Sequence, residues 1–193
     1  MDCLCDVPSF LNSSELFSNF ASYRFCFLSV LEMKKVIIIG CPGAGKSTFG
    51  RKLAGKTGLP LHYLDMIWHK PDRTTVSREN FDLRLSEIMR EDVWIIDGNY
   101  IRTLPVRLHS CDTVFFFDLP LEICLEGAMD RLGKKREDMP WNDTKLDDEF
   151  RQWILDFPST QVPVIRNLLE SFHGTVITFH SRAEAAAFIA GLP

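Results

Sequence analysis

One short run holds the residue types needed to bind a polyphosphate. Gly40-Cys41-Pro42-Gly43-Ala44-Gly45-Lys46-Ser47-Thr48 fits G-x-x-x-x-G-K-[ST], the spacing of a P-loop. Gly43 and Gly45 permit backbone angles at which successive N–H groups converge on one point. A helix opening at Ser47 adds positive potential for the β- and γ-phosphates. Lys46 supplies a mobile cation to a phosphoryl group in transfer, and Ser47 a hydroxyl for Mg²⁺. The run therefore predicts a nucleotide-binding loop from Gly40 to Thr48, with ATP and Mg²⁺ as its ligands.

Carboxylates come next. Val93–Asp97 and Val114–Asp118 are apolar runs that each end in aspartate. Either aspartate has the position of a magnesium-side carboxylate. Asp97 is favoured, because Gly98-Asn99-Tyr100 follows it and reads as a substrate loop; Asp118 leads into Leu119-Pro120, a turn before a helix. Asp65 follows a third apolar run. A carboxylate there orients or deprotonates an acceptor hydroxyl, whereas a phosphate acceptor needs extra arginines. Asp65, Trp68, His69 and Lys70 make a polar and aromatic pocket edge. The plainer alternative is a turn aspartate with Trp68 in the core.

These groups need a scaffold that presents them together. Val36–Ile39 is a β-branched apolar run, as expected of a strand buried on both faces. Further strands are expected at Leu61–Leu64, Val93–Asp97, Val114–Asp118 and Thr175–Phe179. Helices are expected at Ser47–Lys56, Ser77–Arg90, Leu121–Leu132, Asp147–Phe157, Val164–Phe172 and Arg182–Ile189. Ser77 and Asn80 are both plausible caps for the second of these. The alternation predicts an α/β fold: a five-stranded parallel sheet with helices on both faces. Ligands bind beyond the carboxyl ends of such strands, where the P-loop, Asp65, Asp97 and Asp118 all fall.

From the P-loop through Trp94-Ile95-Ile96-Asp97-Gly98-Asn99-Tyr100-Ile101-Arg102-Thr103, the chain resembles adenylate kinase and related small P-loop kinases. The resemblance implies that Asp97 serves magnesium through water and that Arg102 holds the acceptor phosphate. Those enzymes have Phe-Pro where this chain has Asn99-Tyr100-Ile101, so AMP does not carry over as acceptor. A closer resemblance is to the bacterial DNA topology modulation protein group, from Lys34 nearly to the end. It rests on Leu64-Asp65, Trp68, Lys70-Pro71, Trp94–Arg102, Phe117–Pro120, and Ser181-Arg182 with Glu184. It implies a nucleotide-binding kinase fold more firmly than an action on DNA. In the kinase relatives a lid follows the strand-four helix, here at about 131–149. Its arginines close over the phosphates, with Arg131, Arg136 and Arg151 as candidates. The competing reading is a solvated basic turn at a helix end. Arg182, after the last strand, is assigned to the nucleotide.

The chain has 193 residues, 46% hydrophobic and 25% charged, which fits one globular domain and excludes general disorder. Its net charge is −4, but residues 1–33 hold four acids and one base; the remaining domain, 34–193, has 21 basic and 22 acidic residues. That balance, with no long basic stripe, leans against DNA as partner. No apolar run approaches the roughly 20 residues of a membrane span. Six scattered cysteines without a CxxC pair favour free thiols in a reducing cytoplasm. Residues 1–32 are read as an extension ahead of a start at Met33. The expected function is transfer of the γ-phosphoryl group of Mg-ATP to a small molecule: a nucleotide, a nucleoside or another metabolite. Lys46, Asp97, Arg102, Arg131 and Arg136 are the catalytic candidates, and Asp65, Trp68, Asn99, Tyr100 and Arg102 bind the acceptor. The alternative is a nucleotide-dependent ATPase acting through a partner such as DNA. Oligomeric state stays open.

Overall fold

Val36, Ile37, Ile38 and Ile39 are all fully buried, so the strand that they form is covered on both faces. It is the centre of the sheet in the computed structural model, which describes residues 33–193; the reading of residues 1–32 lies outside the described residues. Strand β1 (Lys35–Gly40) lies between β3 (Trp94–Asp97) and β4 (Thr113–Phe117). Strand β2 (Leu61–Tyr63) flanks β3, and β5 (Thr175–Phe179) flanks β4. Every pairing is parallel, in the order β2-β3-β1-β4-β5. The chain leaves β1 toward one side and returns to the other, which opens a crevice at the carboxyl ends of β1 and β3. Register sets Ile38 beside Asp97 and Gly40 beside Phe117.

Eight α-helices follow from the described residues: α1 (Lys46–Thr57), α2 (Leu64–Trp68), α3 (Arg78–Met89), α4 (Leu104–Ser110), α5 (Leu121–Met129), α6 (Asp148–Thr160), α7 (Val162–Glu170) and α8 (Arg182–Gly191). Phe115, Phe117 and Phe179 alternate onto one face and meet Phe49 of α1, with ring centroids at 4.8, 5.3 and 5.3 Å. Val114 and Phe116 point the other way and are buried too, so that face is covered as well. Ser77 caps α3 by accepting from the Asn80 N–H at 3.2 Å, which decides between the two candidate caps. Ser181 caps α8 through the Glu184 N–H, and the Glu184 carboxylate reaches back to accept from the N–H of His180, the residue before the cap, at 2.8 Å.

Three local expectations change. Leu64 begins α2 instead of ending β2; a short apolar run is buried in either state, and its periodicity does not choose. A 3₁₀ turn at Ile101–Thr103 and helix α4 occupy a stretch for which the sequence reading had no element. Helix α5 stops at Met129, three residues before the expected Leu132. No helix or strand occupies 130–147. No helix among the described residues is long and apolar enough to cross a membrane.

Candidate active site

The P-loop has the conformation that its glycines allow. Gly43 and Gly45 have φ of 80° and 104°. A Cβ on Gly43 would lie 2.0 Å from the Cys124 carbonyl oxygen, so only glycine lets the loop rest on α5. Gly127 plays the reciprocal part, because its Cβ would lie 2.2 Å from the Gly43 oxygen. Helix α1 starts at Lys46 with no side chain capping its first N–H groups, which leaves them for an anion. Lys46 Nζ donates to the Cys41 carbonyl at 2.9 Å.

Beside this loop stands Asp97, buried at 5% exposure. Its Oδ1 has no hydrogen-bond partner among the described residues. Burial pushes its carboxyl up to about 6, against the pull of Lys46 and Ser47 and with the help of Asp65 and Asp138. Asp118 lies across β1, on β4's side, and its carboxylate accepts from Arg166 at 2.7 Å. Asp118 lines neither cavity described below, whereas Asp97 lines the first. An orphaned buried carboxylate oxygen, the Ser47 hydroxyl and an uncapped glycine cradle form a donor set that fits Mg²⁺ with a nucleotide polyphosphate.

The loop after β3 is held from both sides. Asn99 receives the Gly40 N–H at 2.8 Å and donates to the Gly40 carbonyl at 2.7 Å. Its amide therefore positions the P-loop, and the residue also lines the first of the cavities described below. Beneath it sits Arg107, which the sequence reading missed. Its fully buried guanidinium donates to the carbonyls of Gly98 at 2.9 Å, of Tyr100 at 3.2 Å, and of Asn99. Burial lowers its pKa to about 9. Tyr100, at φ 35°, donates its hydroxyl to Asp65 Oδ1 at 2.9 Å and stacks on Phe81 at 5.0 Å. Desolvation, then Asp65, push that phenol's pKa up.

Arg102 does not join the site. It makes a bidentate pair with Asp82 on α3, at 2.9 and 2.6 Å, and lines neither cavity. The 3₁₀ turn at Ile101–Thr103 directs it outward, so the motif position is retained while the side chain serves the surface. Arg151 on α6 is also exposed and away from both cavities.

Segment 130–147 folds back over the loop. Asp138 Oδ2 accepts from Ser47 Oγ at 2.8 Å, and Arg136 donates to Asp138 at 3.1 and 2.9 Å. Burial works against the Asp138 charge, but Arg136 and Ser47 hold its pKa down at about 2. Arg131 lies with its guanidinium carbon 5.6 Å above the Phe150 ring and has no hydrogen bond or ion pair among the described residues. Burial and then Arg136 lower its pKa. The sequence reading had named Arg131 and Arg136 but not Asp138, although Glu137-Asp138 sits inside the segment it singled out.

Two cavities meet across these residues. One, of about 600 Å³, reaches from Asp65 and Trp68 past Tyr100 and Asp97 to Pro42. The other, of about 630 Å³, runs along Ala44, Gly45 and Thr48 toward Arg182 and Ala186. Lys46, Ser47, Arg131, Arg136 and Asp138 line both. Arg182 donates one nitrogen to the carbonyls of Gly43 and Ile123, both at 2.9 Å, and so ties the P-loop to α5 while edging the second cavity. Trp68 packs on Phe81 and still lines the first cavity, so it is both core and pocket edge.

Comparison with known proteins bears on the fold. No family model matches the chain, and no curated protein does. Among solved structures, shikimate kinase from Bacteroides thetaiotaomicron aligns with a TM-score of 0.55 at 16% identity, covering 82% of this chain and 95% of that one. Shikimate kinase from Acinetobacter baumannii, solved with shikimate, aligns with a TM-score of 0.54 at 19% identity, over 84% and 94% of the two chains. The chain thus has the small P-loop kinase fold, with its five-stranded all-parallel sheet.

Proposed function

We propose that this protein is a kinase that transfers the γ-phosphoryl group of Mg-ATP to a hydroxyl on a small molecule. The observation that carries the reading is the seam between the two cavities. One P-loop lysine, one serine and two arginines face a nucleotide channel on one side and an aromatic-lined acceptor chamber on the other. A simple ATPase has no need of the second chamber. Resemblance to adenylate kinase and to the DNA topology modulation group supports the nucleotide half of the reading, and the shikimate kinase neighbours support the small-molecule half.

In this scheme the polyphosphate lies on the N–H groups of Gly43 to Thr48, with Lys46 along its β- and γ-oxygens. Bound magnesium, held by Ser47 directly and by Asp97 through water, neutralises phosphate charge. Asp65, fixed by Tyr100, receives the proton of the acceptor hydroxyl. The hydroxyl oxygen bonds to the γ-phosphorus as the bond to the β-bridging oxygen breaks, and ADP departs. Segment 130–147 acts as the lid: it excludes water and brings Arg131 to the charge on the moving phosphoryl group. Lys46→Ala tests the core of this reading. It is expected to keep the fold, as judged by circular dichroism, and to lose at least ~100-fold in ATP-dependent phosphorylation, the typical loss for one charge-stabilising group. Turnover at the wild-type rate in that variant refutes the assignment.

A further inference from the structure

The acceptor chamber differs in charge and shape from one built for an anion. Arg102, which stands at the motif position assigned to an acceptor phosphate, is turned away and engaged by Asp82. Arg107 is enclosed and committed to backbone carbonyls. Arg73 at the rim faces Asp143 at 3.9 Å and lies over Trp141 at 5.4 Å. Lys145 is exposed at the same rim, beside Asp147 in the lining. The remaining cations, Lys46, Arg131 and Arg136, belong to the seam that the polyphosphate claims. Away from that seam the chamber presents three carboxylates, Asp65, Asp143 and Asp147, to two rim cations. A second anion placed there would meet net negative charge and no enclosed cation.

The walls add a shape. Trp68 and Tyr100 come from the body, with ring centroids 6.3 Å apart. Trp141 comes from the lid and is held there by a hydrogen bond from its Nε1 to Asp143 at 2.9 Å and by an edge contact with His69 at 5.0 Å. Trp68, Tyr100 and Trp141 thus all line the chamber, and its volume of about 600 Å³ is ample for a fused ring and a sugar. Flat π-systems stack on such side chains with little dependence on which base they carry.

We infer that the acceptor is an uncharged alcohol carrying a flat ring, of the nucleoside class, with its sugar hydroxyl on Asp65 and its ring between Trp141 and the Trp68–Tyr100 wall. The inference rests on the kinase reading and narrows it: nucleoside monophosphates and sugar acids such as shikimate are excluded as preferred acceptors. The step is the one above, giving a nucleoside monophosphate and ADP.

The full chain with Mg-[γ-³²P]ATP is tested against five nucleosides (adenosine, guanosine, cytidine, uridine, thymidine), their 5′-monophosphates and shikimate. Labelled product from at least one nucleoside is expected, at kcat/KM at least ten times that of any monophosphate or of shikimate. A monophosphate or shikimate as best acceptor overturns the inference and leaves the kinase reading standing. No labelled product from any of them, with ADP formation stimulated only by DNA, overturns both. Two variants sharpen the outcome. Trp141→Ala should raise the nucleoside KM about tenfold, with kcat less affected and Trp141→Phe restoring most of it. Arg102→Ala should leave the acceptor KM within twofold, and a tenfold rise would show that arginine reaching the acceptor and defeat the argument. Quenching of tryptophan fluorescence on titration with the nucleoside gives a binding readout independent of turnover, and its absence counts against the stacking site.

Discussion

Arg107 is the residue whose removal says most about how the site is held. Its guanidinium bonds three consecutive carbonyls of the loop that carries Asn99 and Tyr100. Hydrogen bonds from a charged donor contribute ~1.5–3 kcal/mol each, so the gross interaction is of order 5–9 kcal/mol. Against it stands the cost of keeping a guanidinium out of water, several kcal/mol per ion, in line with the lowering of its pKa by burial. Arg107→Met removes the cation and its desolvation cost but leaves the carbonyls enclosed and unpaired. The expected net loss is about 3 kcal/mol. With a urea m-value of ~2 kcal/mol/M, the midpoint falls by ~1.5 M. The functional loss should exceed what unfolding explains. The loop positions Gly40 through Asn99 and Asp65 through Tyr100, and a displacement of ~1 Å at reacting groups costs ~100-fold. Urea titration and steady-state kinetics at a temperature where the variant stays folded separate the two. A variant within about 0.5 kcal/mol of wild type, with unchanged kcat, would falsify the claim that this cation organises the site.

The buried carboxylate gives a pH prediction. Asp97 titrates near 6 in the folded chain, above its ordinary value of 3.8, so the folded state binds more protons between those limits. Its contribution to stability therefore falls as pH rises from about 4 to 6 and is lost above. Asp97→Asn should flatten that part of the urea-midpoint profile, raise stability at pH 8, and abolish phosphoryl transfer; an unchanged slope refutes the assignment. Gly43→Ala should abolish nucleotide binding by calorimetry, because the new Cβ would sit 2.0 Å from the Cys124 oxygen and φ is 80°. Binding of normal affinity there would mean that the loop shifts freely over α5. Asp138→Asn, which keeps shape but weakens the hydrogen bond to Ser47, should raise protease sensitivity of segment 130–147 in the nucleotide-free protein. Equal digestion rates would show that this contact does not hold the segment.

The P-loop could be read before any fold was known because its function is in its backbone, and backbone geometry is written in glycines. The central strands were legible for a similar reason: Val36–Ile39 and Val114–Phe117 are apolar throughout, as suits a strand covered on both faces. Arg102 shows where such reading stops. Its position in the motif is right, but one 3₁₀ turn decides which way the side chain leaves the backbone, and nothing in the letters encodes that turn. Arg107 was illegible for the opposite reason. A lone arginine in a short helix is ordinarily a surface residue, and only the convergence of three carbonyls gives a reason to enclose it. Asp138 needed the lid's path over Ser47, a contact between residues 91 apart in sequence.

That contact between the lid and the loop has a kinetic consequence. Asp138 holds the Ser47 hydroxyl, and Arg136 is paired with Asp138. On the proposed function, a polyphosphate with its metal at Ser47 displaces that carboxylate, so a unimolecular release is expected to precede tight binding. Association followed by rapid mixing should rise with ATP at first and then level off at the rate of that release. Under that reading the apparent affinity is weakened by the fraction of time for which Asp138 holds Ser47.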